Sequence, residues 1–268
     1  MQGEYDASRT AGALMELLGT GRQSADLPVP DMAAASRVIA AVRALREARG
    51  ERVAGRKIGF SNRSIWPIYG VDRPMWNYVW DSTLIPATEG AARIALAAHP
   101  EPRVEPEIVL RLGRDPAPGM SEAELLGCVD AVAHGLEIVQ SVFPGWRFTA
   151  AQSAAAFGLH GALVVGPWHE IGTERVRWGA ALGDFTVTLR RDGARGETGH
   201  ARNVLGGPVQ ALRFVVEAIA ADPLAVPLRA GEIVSTGTLT DAAPAAPGQI
   251  WTTVFDGIGL GGLTVTCG

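Results

Sequence analysis

The sequence predicts a mixed α+β fold (α/β in the broad sense), in which a helical N-terminal segment precedes a sheet-rich body. Helix-period apolar spacing fills the start of the chain. Short apolar runs bounded by Gly, Pro and Asp take over from Val53 onward. Helix signals then return at two places, a Ser-x-x-Glu pattern at Ser121 and a Pro-led apolar stretch at Pro208.

Taken in order, residues 7–21 and 32–49 carry helical spacing, with Asp31 as an N-cap and Gly50 as a stop. Strands are expected over 55–60, 91–97, 104–112, 136–141 and 162–165. A helix over 121–133, opened by the Ser121 and Glu124 capping box, connects two of them. Runs 185–190 and 198–204 form a hairpin around Asp192-Gly193, a dipeptide that tolerates the positive φ a tight turn needs. Pro208 opens a helix to about residue 221, with Val209, Leu212, Val216 and Ile219 on one face. Strands at 233–236, 251–255 and 263–266 close the chain, joined by a loop over 241–248.

A chain of 268 residues can bury a large core, and the expected organisation is a helical arm, 1–52, packed on one main domain, 53–268. Lys and Arg number 24 against 28 Asp and Glu, and no basic stripe is present, which argues against nucleic acid as a partner. Cys128 and Cys267 make neither a disulfide framework nor a metal spacing. The opening Met-Gln-Gly-Glu-Tyr-Asp lacks the basic start of a secretory signal, and no apolar run looks long enough to span a bilayer. A cytoplasmic protein without membrane contact is expected.

Glu105 and Glu107, in Arg-Val-Glu-Pro-Glu-Ile-Val-Leu, and Glu137, in Gly-Leu-Glu-Ile-Val, stand where strands should be apolar. Residues two apart on a strand share a face, so Glu105 and Glu107 would aim like charges into one space. Burying them is costly unless a cation compensates, and Mg²⁺ or Mn²⁺ prefers such oxygen ligands. The competing reading is a solvated edge strand whose charges block pairing. Pro106 cannot donate a ladder hydrogen bond, which places an edge or an irregularity there.

Lys57 lies in Gly-Arg-Lys-Ile-Gly-Phe, where the glycines, Gly55 and Gly59, would let a ligand come close and Gly59 and Phe60 are candidate substrate contacts. It is either a snorkelling surface lysine or, at a substrate, a cationic anchor or an acid/base of lowered pKa. Asp81 ends an aromatic stretch and is either a site residue or a cap. No two histidines have ligand spacing, which argues against zinc. His160, in Gly-Leu-His-Gly-Ala, and Thr238, in Ser-Thr-Gly-Thr, sit at element ends where site residues collect, a satisfied turn being the alternative for Thr238.

With these residues assembled, the chain resembles the fumarylacetoacetate hydrolase superfamily, in its branch of 2-keto-4-pentenoate hydratases and 4-oxalocrotonate decarboxylases. The resemblance rests on Lys57-Ile58-Gly59, Tyr69-Gly70-Val71-Asp72, Asp81 and Val104-Glu105-Pro106-Glu107-Ile108. It continues through Leu136-Glu137-Ile138-Val139-Gln140-Ser141, Leu205-Gly206-Gly207-Pro208 and Gly231-Glu232-Ile233-Val234-Ser235-Thr236-Gly237. It implies a rolled mixed β-sheet, Glu105, Glu107 and Glu137 holding Mg²⁺ or Mn²⁺, Lys57 and Asp81 at the substrate, and a homo-oligomer. The implied reaction is addition of water to a 2-hydroxydienoate or 2-oxo-3-enoate through a metal-stabilised enolate. Decarboxylation of a 2-oxo diacid is the first alternative. Acylpyruvate hydrolysis is less expected, because that branch draws a histidine from an N-terminal lid and none precedes His99 here. A non-catalytic oligomeric scaffold is the non-enzyme alternative. Gln140 replaces the aspartate usual in hydratases, and residues 155–160 replace their Ala-Asp-Asn-Ala-Ser stretch, so Gln140 and His160 are expected to remodel the substrate wall.

Overall fold

The computed structural model describes residues 5–268, so the opening residues 1–4 of the proposed leaderless start lie outside the described part. Helices α1 (Ala7–Leu17) and α2 (Met32–Ala48) form the entry. The Asp6 side chain caps α1, and the Asp31 side chain accepts from Ala34 N at 2.7 Å to cap α2. Their apolar stripes, including Leu14, Met15, Val38 and Val42, are buried in the same cluster as the main body.

The body follows as β1 (Val53–Gly59), α3 (Trp66–Tyr69), β2 (Met75–Trp80), β3 (Leu84–Pro86), β4 (Ala91–Ile94), β5 (Arg103–Leu112), α4 (Glu122–Cys128) and β6 (Val129–Val139). Next come α5 (Ala150–Ala155), β7 (His160–Val165), β8 (His169–Glu170), α6 (Arg175–Gly183), β9 (Thr186–Arg191), β10 (Glu197–His200) and α7 (Pro208–Ala221). The chain ends with β11 (Ile233–Ser235), β12 (Ala243–Pro244), β13 (Ile250–Asp256) and β14 (Thr264–Cys267).

Two sheets organise these elements. The first is mixed and rolled, in the order β2-β1-β11-β5-β6-β7-β3, with β12 added to β5 and β8 to β6. The second runs β10-β9-β13-β14-β4. Leu136, Ile138 and Val164 of the first sheet meet Leu189, Trp251 and Val265 of the second in one buried cluster. That contact fixes which face of β5 and β6 remains for chemistry, because alternate residues point away from it.

Four expectations need correction. The 121–133 helix stops at Cys128, and Val129 to Ala133 pair with β5 as the start of β6. The strand over 91–97 ends at Ile94 and gives way to a single 3-10 turn. Of the two readings of Pro106 only the edge fails: β5 is central, and the proline sits at an interruption between the β12 partners at 103–104 and the β11 partners at 109–111, where no ladder donor is needed. Its carbonyl still accepts from Leu239 N at 2.9 Å. Finally, Ala201–Ala221 is by length and composition apolar enough to cross a membrane, yet half of it is buried, and α7 within it is a core helix.

Candidate active site

The antiparallel register of β5 and β6 sets Glu105 directly opposite Glu137 and Glu107 opposite Gly135, so all three carboxylates rise from one face. One oxygen from each lies within 4.8 Å of the others. Glu107 and Glu137 are fully buried, while Glu105 keeps some exposure. Like charges facing each other in a strand pair destabilise it, so the cluster needs compensation.

Two of the carboxylates are each anchored through one oxygen. Glu107 Oε2 accepts from the Ser235 hydroxyl and, at 2.9 Å, from Gly237 N. Gly237 has a φ of +102°, and a Cβ there would lie 2.0 Å from Ser61 Oγ, so glycine alone lets this N–H reach the carboxylate. Glu137 Oε1 lies 2.6 Å from His160 Nδ1. The other oxygens, Glu107 Oε1 and Glu137 Oε2, are buried and accept no hydrogen bond among the described residues. Lys57 Nζ stands 3.3 Å from Glu137 Oε2, a proximity of charges rather than an aligned hydrogen bond. Buried unpaired acceptors are costly. Converging with Glu105, they make an oxygen-only donor set that fits a hard divalent cation such as Mg²⁺ or Mn²⁺.

Without that cation the site holds protons. Burial pushes Glu105 up to about 8, with Lys57 opposing and the charges of Glu137 and Glu107 adding to it. Burial likewise raises Glu107 and Glu137. Burial also works against the charge on Lys57, but Glu137, Glu105 and Glu107 outweigh it and hold the lysine above its usual value. Of the two roles considered for Lys57, this direction favours the cationic anchor over the acid/base of lowered pKa. Its Nζ donates to Gly158 O at 3.0 Å. Gly158 sits at φ +59°, and a Cβ there would come within 2.7 Å of Asn77 Cβ.

Hydrogen-bond accounting fixes His160. The Thr83 hydroxyl donates to Trp80 O at 2.9 Å, so it accepts from His160 Nε2 at 2.8 Å. Burial, with the Lys57 and Arg46 charges, holds His160 well below the usual histidine value. Nε2 thus carries a hydrogen, burial disfavours the charged ring, and one proton is shared in the 2.6 Å contact between Nδ1 and Glu137 Oε1.

Lys57, Gly59, Phe60, Glu105 and Thr238 surround one small pocket of about 40 Å³. Its walls are completed by apolar groups that the sequence did not single out, among them Tyr69, Met75, Trp146 and Leu159. Gln140 and His160 are not in that lining. His160 stands behind Glu137, and Gln140 lines a separate cavity, its Nε2 donating to His160 O at 2.9 Å. Asp81 is not brought in either: it is exposed, and its Oδ1 accepts from Arg52 N at 3.0 Å and Ser82 N at 2.8 Å as a backbone cap. Sequence reasoning missed Asn77, the buried register partner of Lys57, and Thr83. A polar residue inside the aromatic run Trp76 to Trp80 was the available signal for Asn77.

Residues 70–266 match the family described as fumarylacetoacetate (FAA) hydrolase C-terminal. The chain is 30% identical over 217 residues to a 2-hydroxyhexa-2,4-dienoate hydratase of Comamonas testosteroni, covering 80% of this chain and 79% of the relative. It is 30% identical over 244 residues to a 4-oxalocrotonate decarboxylase of Pseudomonas sp, covering 90% and 91%. The structure of 4-oxalocrotonate decarboxylase from Pseudomonas putida G7, complexed with magnesium and adipate, shares the fold with a TM-score of 0.87 over 97% of each chain, at 22% identity. The chain belongs to the fumarylacetoacetate hydrolase family, as an enzyme of its hydratase or decarboxylase branch.

Proposed function

We propose that the chain is a lyase that hydrates a short 2-oxo-3-enoate, with Glu105, Glu107 and Glu137 holding Mg²⁺ or Mn²⁺. The observation that carries this is the pair of buried oxygens on Glu107 and Glu137 that accept no hydrogen bond among the described residues and lie with Glu105 beside the pocket that Lys57 lines. The bound ion would supply Lewis acidity toward the carboxylate and 2-oxo oxygen of the substrate. Lys57 pairs with the substrate's charge and is the group placed to deliver a proton. The Thr238 hydroxyl donates to Thr240 O at 2.8 Å, so it offers only lone pairs and accepts from a water or a substrate hydroxyl. Phe60, Met75 and Leu159 hold the alkene portion in apolar surroundings. At about 40 Å³ the pocket has room for little more than water, so substrate entry requires the aromatic wall of Tyr69 and Trp146 to move.

Hydration is preferred to decarboxylation of a diacid because Lys57 is the one cation among the described residues lining the pocket. One observation favours the second reading. Arg103 shares the strand face of Glu105, donates to Tyr69 Oη at 2.8 Å and lies 4.1 Å over the Trp146 ring, at the rim where a distal carboxylate would emerge. Incubation with Mg²⁺ and either 2-hydroxypenta-2,4-dienoate or 4-oxalocrotonate separates the two: dienol loss without CO₂ is expected, and CO₂ release from the diacid alone would refute hydration. Lys57→Met should lower kcat by about 10² to 10⁴. We also propose a homo-oligomer, consistent with exposed Ile250 and Val254 on the second sheet and testable by sedimentation.

A further inference from the structure

A second group of polar side chains, among them Arg46, Glu51, Thr83, Arg93 and Gln140, lines a separate cavity of about 390 Å³. That volume is in the range of small-molecule sites. Its charge balance is positive in a chain of formal net charge −4: Arg46 and Arg93 line it against the single carboxylate of Glu51. Glu51 is already committed, accepting from Arg46 Nε at 3.0 Å and from the Ser82 hydroxyl. Arg46 is almost fully buried, pinned by that carboxylate and stacked 4.6 Å over Trp80, yet its Nη1 makes no hydrogen bond among the described residues. Arg93 makes no ion pair or side-chain hydrogen bond among the described residues. A fixed buried guanidinium with a spare donor, and an unpaired one at the rim, is an arrangement that recognises carboxylate.

The floor of this cavity leads to the metal ligands. Thr83 lines it and accepts from His160 Nε2 at 2.8 Å, and the other nitrogen of the same ring is 2.6 Å from Glu137 Oε1. Gln140 also lines it and holds the His160 carbonyl. A ligand that moves the turn at 81–83 must move the group that orients Glu137, as partners behind a ligating carboxylate do.

We propose that this cavity is a second ligand site, for a small organic carboxylate, and that its occupancy is transmitted to Glu137 through Thr83 and His160. Binding by the cavity stands alone, while the transmission rests on the metal reading of the glutamates. The probe is succinate, titrated calorimetrically into metal-free protein, where no ion is present in the glutamate pocket to chelate its carboxylates, and the Arg93→Ala comparison assigns the binding to the cavity. Saturable binding is expected, weakened at least tenfold by Arg93→Ala. Saturating succinate should then shift Mn²⁺ affinity at least threefold in the wild type, and not in Arg93→Ala or in Thr83→Val, which still binds succinate. Absent binding, equal binding by Arg93→Ala, or an Arg93→Ala variant that changes only the oligomeric state would overturn the site. An unshifted Mn²⁺ affinity with succinate bound would overturn the transmission. If the wild type takes up no Mn²⁺, the metal reading fails, while the succinate isotherm still decides the cavity.

Discussion

At the scale of the residue, the site stores protons where the proposed cation would sit. Glu105 is pushed up to about 8 by burial, and Glu107 and Glu137 are raised for the same reason, so at pH 7 the metal-free cluster carries protons that an ion must displace. Mn²⁺ binding at pH 7, measured by calorimetry in buffers of different ionisation enthalpy, should therefore release close to one proton or more. A zero slope against buffer enthalpy would show that the carboxylates are already ionised. Ser235 acts on this set by fixing Glu107 Oε2, and Ser235→Ala should weaken Mn²⁺ about 10- to 100-fold, whereas Glu107→Gln should exceed that range. The glutamates could be found in the sequence because charge inside an apolar strand is costly and therefore conspicuous. His160 stood out as a residue, but its place behind Glu137 did not, because that depends on Thr83, a residue 77 positions away.

Among the elements, the short turn at Asp81–Thr83 shows how one residue type serves two ends. Asp81 follows an aromatic strand and reads equally as an acid at a site or a cap, and its Oδ1 accepts from both Arg52 N and Ser82 N as a cap does. Asp81→Ala should cost about 1 kcal/mol in chemical denaturation, as cap losses do, and leave kcat/KM within about twofold. A loss of a hundredfold or more would return Asp81 to the chemistry. Helices with clear start signals, the Asp31 cap of α2 and Pro208 in the first turn of α7, were legible almost to the residue. The boundary of α4 was not, since the apolar Val129, Ala131, Val132 and Ala133 around Asp130 show no clear period and only pairing with β5 makes them strand. Strand β2 escaped for a related reason: every residue from Met75 to Trp80 is buried, so no alternation marks it. In α6 only Trp178 and Leu182 are buried, too few to write a helical stripe.

Over the whole molecule, two buried groups set opposite slopes of stability with pH. His134 lies between the sheets, with its ring nitrogens 2.8 Å from Thr253 Oγ1 and 3.2 Å from Glu107 O, and burial drops it from the usual 6.5 to about 4. A histidine depressed in the folded state contributes stability that is present above its unfolded pKa and lost as pH falls through the folded one. From 6.5 down to about 4 that loss amounts to roughly 3 kcal/mol. Glu105 has the opposite sign: its raised pKa contributes stability that is present below the unfolded carboxylate value and lost as pH rises through about 8. The two slopes compete below 6.5, and above it the carboxylate acts without the histidine. Metal-free protein should therefore lose stability between pH 6.5 and 8 in urea titrations. With Mn²⁺ held well above its Kd, the fall should vanish, because the ion favours the ionised carboxylates and adds about 2.7 kcal/mol at 100 times Kd. His134→Gln should flatten the acid limb and leave the alkaline fall in place. An alkaline fall that persists unchanged with Mn²⁺ would mean that the ionisation lies outside the glutamate cluster.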